Sequence, residues 1–585
     1  ESAMLQKNSQ LLLAAVFALL ASCGAILLCL TALQQENARY NLVESQDDKP
    51  EIVVHTAMGR VKGFISISSQ GKPVRVFYGI PYAEPPIGML RFCRPHPKDP
   101  WTGVFNATVK PNSCVQTVDE TYGNFSGSVM WNANTNMSED CLKLNVWTPV
   151  PPGKEPLAVL IWIYGGGFYS GTSTLDVYDA RTLVSEENVI VVSMNYRVAS
   201  LGFLSFDNEL LPGNAGLYDQ HMALEWVRDN IAAFGGDPNR VTLFGESAGA
   251  ASVAMHVLSP LSRGLFKRAA LQSASAIGPW IFQRNDTARK AARRLAHALG
   301  CPTDLDNKTL NCLRDKDAKE IVYNEPHNGG IIDVPFFPVA DGAFLPDSPR
   351  VLIAQKAFQS NISVILGSNL NEGSYFLQYF FGFSEQEQNP NVTEDSFTAA
   401  VEALNPLLGK PPMADVLKQY TNSAVPMESK DRLAALDSIV GDYHFTCPVV
   451  QWADSFMQAG VPVYEYVFAC RSSRDPWPQW TGVIHGAEVA FVFGEPFNAT
   501  LGYSDEDKAV SGRLMRYWAN FAKTGDPNLP ENGTPDNTAW PRRTQPNREH
   551  LVLTVNDTVG RAHRVEYCEF WDSIRHNWTA SSPSH

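Results

Sequence analysis

The stretch VTLFGESAGAASVAMHVL, residues 241–258, sets a serine between two glycines with an acidic residue directly before it. An apolar β-type run ends at Phe244, and a helix-type pattern begins right after Ser247. Gly245 and Gly249 remove side chains where a strand must reverse sharply into a helix. Gly-Glu-Ser-Ala-Gly therefore fits a strand–turn–helix elbow that leaves the serine hydroxyl exposed at a helix N-terminus. A bare G-x-S-x-G also occurs as an ordinary turn; the strand before it and the helix after it favour the reactive reading.

Working outward, similar apolar runs recur: LNVWTPV (144–150), LAVLIWIYGG (157–166), VIVVSMNYRV (189–198) and SVILGSNLNEG (363–373). Helix-like stretches such as DQHMALEWVRDNIAAFGG (219–236) separate them. Continuous apolar strands alternating with amphipathic helices predict an α/β fold, a large and mostly parallel twisted sheet with helices on both faces. VVHTAMGRVKGF (53–64) and VRVFYGIPYAEPP (74–86) read as short strands broken by turns, at an antiparallel edge of that sheet. Ligands of such sheets collect at the carboxyl ends of the strands.

A serine hydroxyl is a poor nucleophile until a base takes its proton, so the chain needs a histidine held by a carboxylate, in the order serine, acid, histidine. GSNLNEGSYF (367–376) puts Glu372 just past an apolar strand, and WTGVIHGAEVAFVFG (480–494) puts His485 at the end of a strand-like run. An oxyanion formed at the substrate carbonyl needs backbone N–H donors. WIYGGGFYSG (162–171) supplies glycines directly after a strand, and no lysine follows to suggest a phosphate loop. Gly166, Gly167 and the amide of Ala248 are assigned to that hole. Acyl transfer by this set needs no cofactor and no metal.

The chain has 585 residues, 44% of them hydrophobic, and a formal net charge of −14. The acidity argues against a nucleic-acid partner, which needs concentrated lysine and arginine. Residues 11–33 carry no charge, and as a helix they would span about 34 Å, enough to cross a bilayer. We read residues 1–10 as a short lead, 11–33 as a transmembrane signal-anchor with a cleaved signal peptide as the competing reading, and 34–50 as a polar stalk. One large domain, 51–572, and a tail, 573–585, follow. Both readings of the apolar segment export the rest of the chain. Ten cysteines agree with export, as do N-x-S/T sequons at Asn106, Asn124, Asn136, Asn285, Asn307, Asn361, Asn391, Asn498, Asn532, Asn556 and Asn577. A secreted or cell-surface glycoprotein is expected.

PYAEPPIGMLRF, EDCLKLNVW, GESAGAAS, HGAEVAFVFG and YWANFAKTGDPN together resemble the type-B carboxylesterase and cholinesterase family of α/β-hydrolases, and most of all its cholinesterase branch. The resemblance runs from about residue 51 to 572 and implies the same triad. It also implies a choline site in CVQTVDETYGNFSGSVMWNANTNMSEDC (114–141), where Trp131 matches the family's choline-binding tryptophan. A quaternary ammonium offers no hydrogen-bond donor, so ring faces and diffuse negative charge must hold it. Trp131, Tyr375 and Glu246 supply these, with Asp119 nearer the mouth. The acyl pocket would be lined by Trp280, Ile332 and Val334, the last two standing in GIIDVPFFPVADG where acetyl-selective members carry phenylalanines. Smaller side chains there leave room for a butyryl group. Thr117 stands where a rim tyrosine is common.

Family pairing implies disulfides Cys114–Cys141, Cys301–Cys312 and Cys447–Cys568; Cys93 and Cys470 are left either paired or free. A homodimer through the segments DKAVSGRLMRYWANFAK (507–523) and VEYCEFWDSIRHNW (565–578) is a further implication. Two rivals stay open: a generalist carboxylesterase, and a non-catalytic adhesion ectodomain of the same fold, whose members commonly lose a triad residue.

Overall fold

The computed structural model describes residues 52–581 apart from 151–154, 328, 407–409, 422–425 and 531–538, and the side chains as far as residue 574. The expected anchor and stalk lie outside the described residues. Among the described residues no helix is long and apolar enough to cross a membrane. The described residues from Val53 onward form one compact unit.

Its centre is a sheet built from β1 (Ile52–Thr56), β2 (Gly59–Ile67), β3 (Pro73–Pro81), β4 (Val104–Asn106), β5 (Lys143–Pro149), β6 (Leu157–Ile163), β7 (Ile190–Met194), β8 (Gly236–Glu246), β9 (Arg268–Gln272), β10 (Ser363–Asn369), β11 (Val463–Phe468), β12 (Glu549–Leu553) and β13 (Thr558–Arg561). Strand order is β1-β2-β3-β5-β7-β6-β8-β9-β10-β11-β12-β13, with β4 added beside β2. The run from β7 through β6, β8, β9, β10 and β11 to β12 is parallel, while β2, β3 and β5 form the antiparallel margin expected from residues 53–86.

The interior strands show why the apolar runs were continuous rather than alternating. Every residue of β6 and of β7 is buried, so both faces of the sheet are covered there. Each fully buried valine, leucine or isoleucine contributes roughly 1.5–3 kcal/mol relative to exposure. Helix Ala248–Leu258, buried along its whole length, packs on β8 and β9. Helix Asp505–Thr524 packs on β6 and β8. The inner face of the latter, with Val510, Leu514, Met515 and the run Tyr517–Ala522, is buried within the chain's own core.

Three disulfides join Cys114 to Cys141, Cys301 to Cys312 and Cys447 to Cys568; Cys93 and Cys470 form none. Asn106, Asn124, Asn136, Asn307, Asn361, Asn391 and Asn556 are exposed, and Asn498 is half-buried. Asn532 and the side chain of Asn577 lie outside the described residues. Among the described sequons Asn285 is the poor acceptor. Its Nδ2, the atom a glycan would take, donates to Asp207 Oδ1 at 2.5 Å and to the Ala340 carbonyl at 3.2 Å.

Candidate active site

Because β6, β8, β10 and β11 run parallel, the loops leaving their carboxyl ends meet at one edge of the sheet. Ser247 follows β8 with φ 56° and ψ −124°, outside the regions most side chains occupy, and helix Ala248–Leu258 starts at the next residue. The flanking glycines allow that turn. A Cβ at Gly249 would lie 1.9 Å from the Ile163 carbonyl oxygen, and one at Gly245 would lie 2.6 Å from the backbone of Gly249.

Gly166 and Gly167 leave β6 with φ of +97° and +59°. Their amides and that of Ala248 donate to no acceptor among the described residues. Val334 stands against this glycine loop, its Cγ2 3.5 Å from where a Cβ on Gly167 would be.

Glu372 lies three residues past β10, where its Oε1 accepts from the Asn369 amide at 2.6 Å. Its Oε2 lies 2.5 Å from Nδ1 of His485. The strand-like run expected before His485 is not a strand: β11 ends at Phe468, and a short 3-10 turn, Gln479–Thr481, precedes the histidine loop. Phe445 and Phe376 pack on the imidazole, with ring centroids at 4.4 and 5.2 Å.

Nε2 of His485 lies 3.1 Å from Glu246 Oε1, and no hydrogen bond joins it to Ser247 in this structure. Burial pushes the Glu246 carboxyl up to about 8, with the imidazole opposing that shift and the Glu488 and Glu372 charges adding to it. Burial alone would lower His485, but the carboxylates of Glu246 and Glu372 override it and carry the imidazole up to about 9.

Ser247 and His485 open into one cavity of about 390 Å³, lined also by Gly166, Gly167, Trp131, Glu246, Tyr375, Asp119, Trp280, Ile332 and Val334. Every side chain singled out for substrate contact is therefore brought to one place, and Thr117 is on its wall as well. Trp131 is half-buried, and no ring packs on its indole among the described residues. A Cβ on Gly486 would lie 3.5 Å from Trp131 Cζ2 and 3.6 Å from Glu246 Oε1, so the indole and the carboxylate flank one spot beside His485. Tyr375 donates to Tyr379 at 3.2 Å, and Tyr379 donates to Asp119 at 2.7 Å.

Tyr379, Phe376 and Phe445 were missed from sequence. Tyr379 carried a usable signal, since it stands four residues after Tyr375 on helix Ser374–Phe381 and shares its face. Phe445 carried none. It comes from a π-helical segment, Asp442–Thr446, whose packing against His485 only the fold reveals.

The Carboxylesterase family matches residues 50–571 of this chain. Acetylcholinesterase 1 of Caenorhabditis elegans is 43% identical over 550 residues, covering 88% of this chain and 87% of that protein. The acetylcholinesterase of Electrophorus electricus is 42% identical over 563 residues, covering 89% and 88%; that of Danio rerio is 43% identical over 562, covering 90% and 88%. With the elbow serine, the glycine loop and the Glu372–His485 pair at one edge of a mostly parallel sheet, and with this match across nearly all the described residues, the chain belongs to the carboxylesterase family.

Proposed function

We propose that the protein hydrolyses choline esters through a covalent acyl-serine intermediate. Ser247 Oγ attacks the ester carbonyl while its proton passes to Nε2 of His485, and Glu372 holds the ring by Nδ1 and stabilises the imidazolium. The amides of Gly166, Gly167 and Ala248 receive the oxyanion. The imidazolium then gives its proton to the departing choline oxygen. Water, deprotonated by the same imidazole, attacks the acyl-serine and frees the acid. Closure of Nε2 from Glu246 onto the serine hydroxyl is the adjustment the first step requires, and catalytic hydrogen bonds commonly tighten only when substrate is bound.

The observation that carries the choline reading is the pairing of a half-buried indole, Trp131, on which no ring packs among the described residues, with the Glu246 carboxyl across Gly486, next to His485. A trimethylammonium group there would meet a ring face and a carboxyl whose ionised form its own charge favours. Asp119 draws cations at the mouth, while Trp280, Ile332, Val334 and the unforeseen Phe445 bound the acyl side. The test compares hydrolysis of a choline ester with its uncharged isostere bearing a tert-butyl head. The reading expects kcat/KM for the cation to be at least about tenfold higher. Equal values would leave a generalist esterase, and turnover of neither would remove the enzyme.

The same reading places the enzyme outside the cell, in keeping with its sequons and disulfides, and tethers it by residues 11–33 as a type II anchor. Release from expressing cells by a salt wash, without detergent, would refute the tether. A homodimer would use the segments 507–523 and 565–578; light scattering of the purified protein at the monomer mass would exclude it.

A further inference from the structure

Two loops far apart in sequence must hold Glu372 and His485 in register, and neither is a helix or a strand. Asn371 joins them. Its backbone N–H donates to the Val483 carbonyl at 3.0 Å, and its Oδ1 accepts from the Val483 N–H at 3.0 Å, two residues before His485. The fit is close: a Cβ on Gly482, where φ is +63°, would lie 2.1 Å from Asn371 Oδ1. Ser374 adds a second tie, donating to the Thr481 carbonyl at 2.6 Å.

Asn371 is itself held from behind. Helix Ser429–Gly441 presses against the turn, since a Cβ on Gly373 would lie 2.3 Å from the Asp437 carbonyl oxygen and one on Gly441 would lie 3.4 Å from Glu372 Cβ. From that helix the Asp437 side chain accepts two hydrogen bonds, Oδ2 from Asn371 Nδ2 at 2.7 Å and Oδ1 from the Gly373 N–H at 3.0 Å. Asp437 therefore grips the residue on each side of Glu372, and through Asn371 it reaches the strand-like pairing that leads into His485.

Resting on the serine-esterase reading above, we propose that Asp437, acting through Asn371, is a positioning residue for hydrolysis that fixes the Glu372 loop against the His485 loop. It touches no substrate and adds nothing to choline recognition. Its effect is on the acid–base geometry shared by every ester the enzyme cleaves.

The hydrogen-bond pattern supplies its own control. Asp437→Asn keeps the size but turns one acceptor into a donor, so either Asn371 Nδ2 or the Gly373 N–H faces another donor. Adding Asn371→Asp restores every bond with the roles exchanged: the amide now on the helix donates to the carboxylate now on the loop, which still accepts from the Val483 N–H. With both variants purified as the full chain, kcat, KM and Tm are measured on the choline ester and on its tert-butyl isostere. The single variant is expected to lose about tenfold or more in kcat on both esters, with KM nearly unchanged, because sub-ångström misplacement of catalytic groups has effects of that size. The double variant is expected to recover most of the loss. A single variant with lowered Tm and unchanged kcat, or a kcat loss that the exchange does not repair, overturns the proposal. Failure of the esterase reading itself would look different, since the unaltered chain would then turn over neither ester.

Discussion

Nδ1 of His485 and Oε2 of Glu372 stand 2.5 Å apart although 113 residues separate them in the chain. The contact fixes which ring nitrogen is turned away from the cavity and leaves Nε2 as the one that the proposed mechanism brings to Ser247. Glu372→Gln preserves the shape and removes the charge that would stabilise an imidazolium. We expect kcat to fall roughly a thousand- to ten-thousandfold with KM little changed, read from steady-state kinetics on any substrate ester. A loss below about tenfold would take Glu372 out of the mechanism.

The second carboxylate facing His485 sets a pH dependence. Glu246 favours the charged imidazole, so it holds the histidine's pKa up, and the neutral base is available only as pH rises through that value. Glu246→Gln removes the attraction, lowers the imidazole pKa and should move the acid limb of the kcat profile toward lower pH. The profile is measured on the uncharged ester, so that lost cation binding does not intrude. A limb that stays in place, or moves upward, contradicts the assignment.

Trp131→Ala tests the cation cage separately from the chemistry. Loss of a desolvated cation–π contact of up to roughly 2 kcal/mol predicts about a thirtyfold fall in kcat/KM for the choline ester. The tert-butyl isostere, which keeps only the apolar contact, should fall severalfold at most. Equal losses on the two esters would make Trp131 a packing residue.

Val334 lies against the Gly167 loop and is itself buried, so its side chain bounds the space left for an acyl group. Val334→Phe should lower butyryl-ester turnover relative to acetyl-ester turnover by about tenfold or more, the range that a hydrophobic pocket achieves against extra methylenes. An unchanged ratio would place the acyl chain elsewhere.

The elbow was legible because its constraint is local. Gly245 and Gly249 are required by contacts within a few ångströms of Ser247, and the strand and helix that flank them announce themselves by period. Glu372 was legible for a related reason, as the first acid past an apolar strand. His485 is legible for a partly wrong reason: its chain order is right, but the run directly before it is no strand, since β11 ends at Phe468 and a turn and an irregular loop intervene. The brace at Asp437 and the ring of Phe445 were invisible. Both reach the site from segments whose own periodicity reports only their helices, and nothing in a helical pattern says which loop the helix will press against.

The most direct test of the whole account is the covalent mapping of a fluorophosphonate on the intact protein, with and without tetramethylammonium. The account predicts a single adduct, on Ser247, formed more slowly when the small cation occupies the space between Trp131 and Glu246, while tert-butanol at the same concentration protects far less. An adduct on another residue, no adduct at all, or labelling indifferent to tetramethylammonium would contradict it.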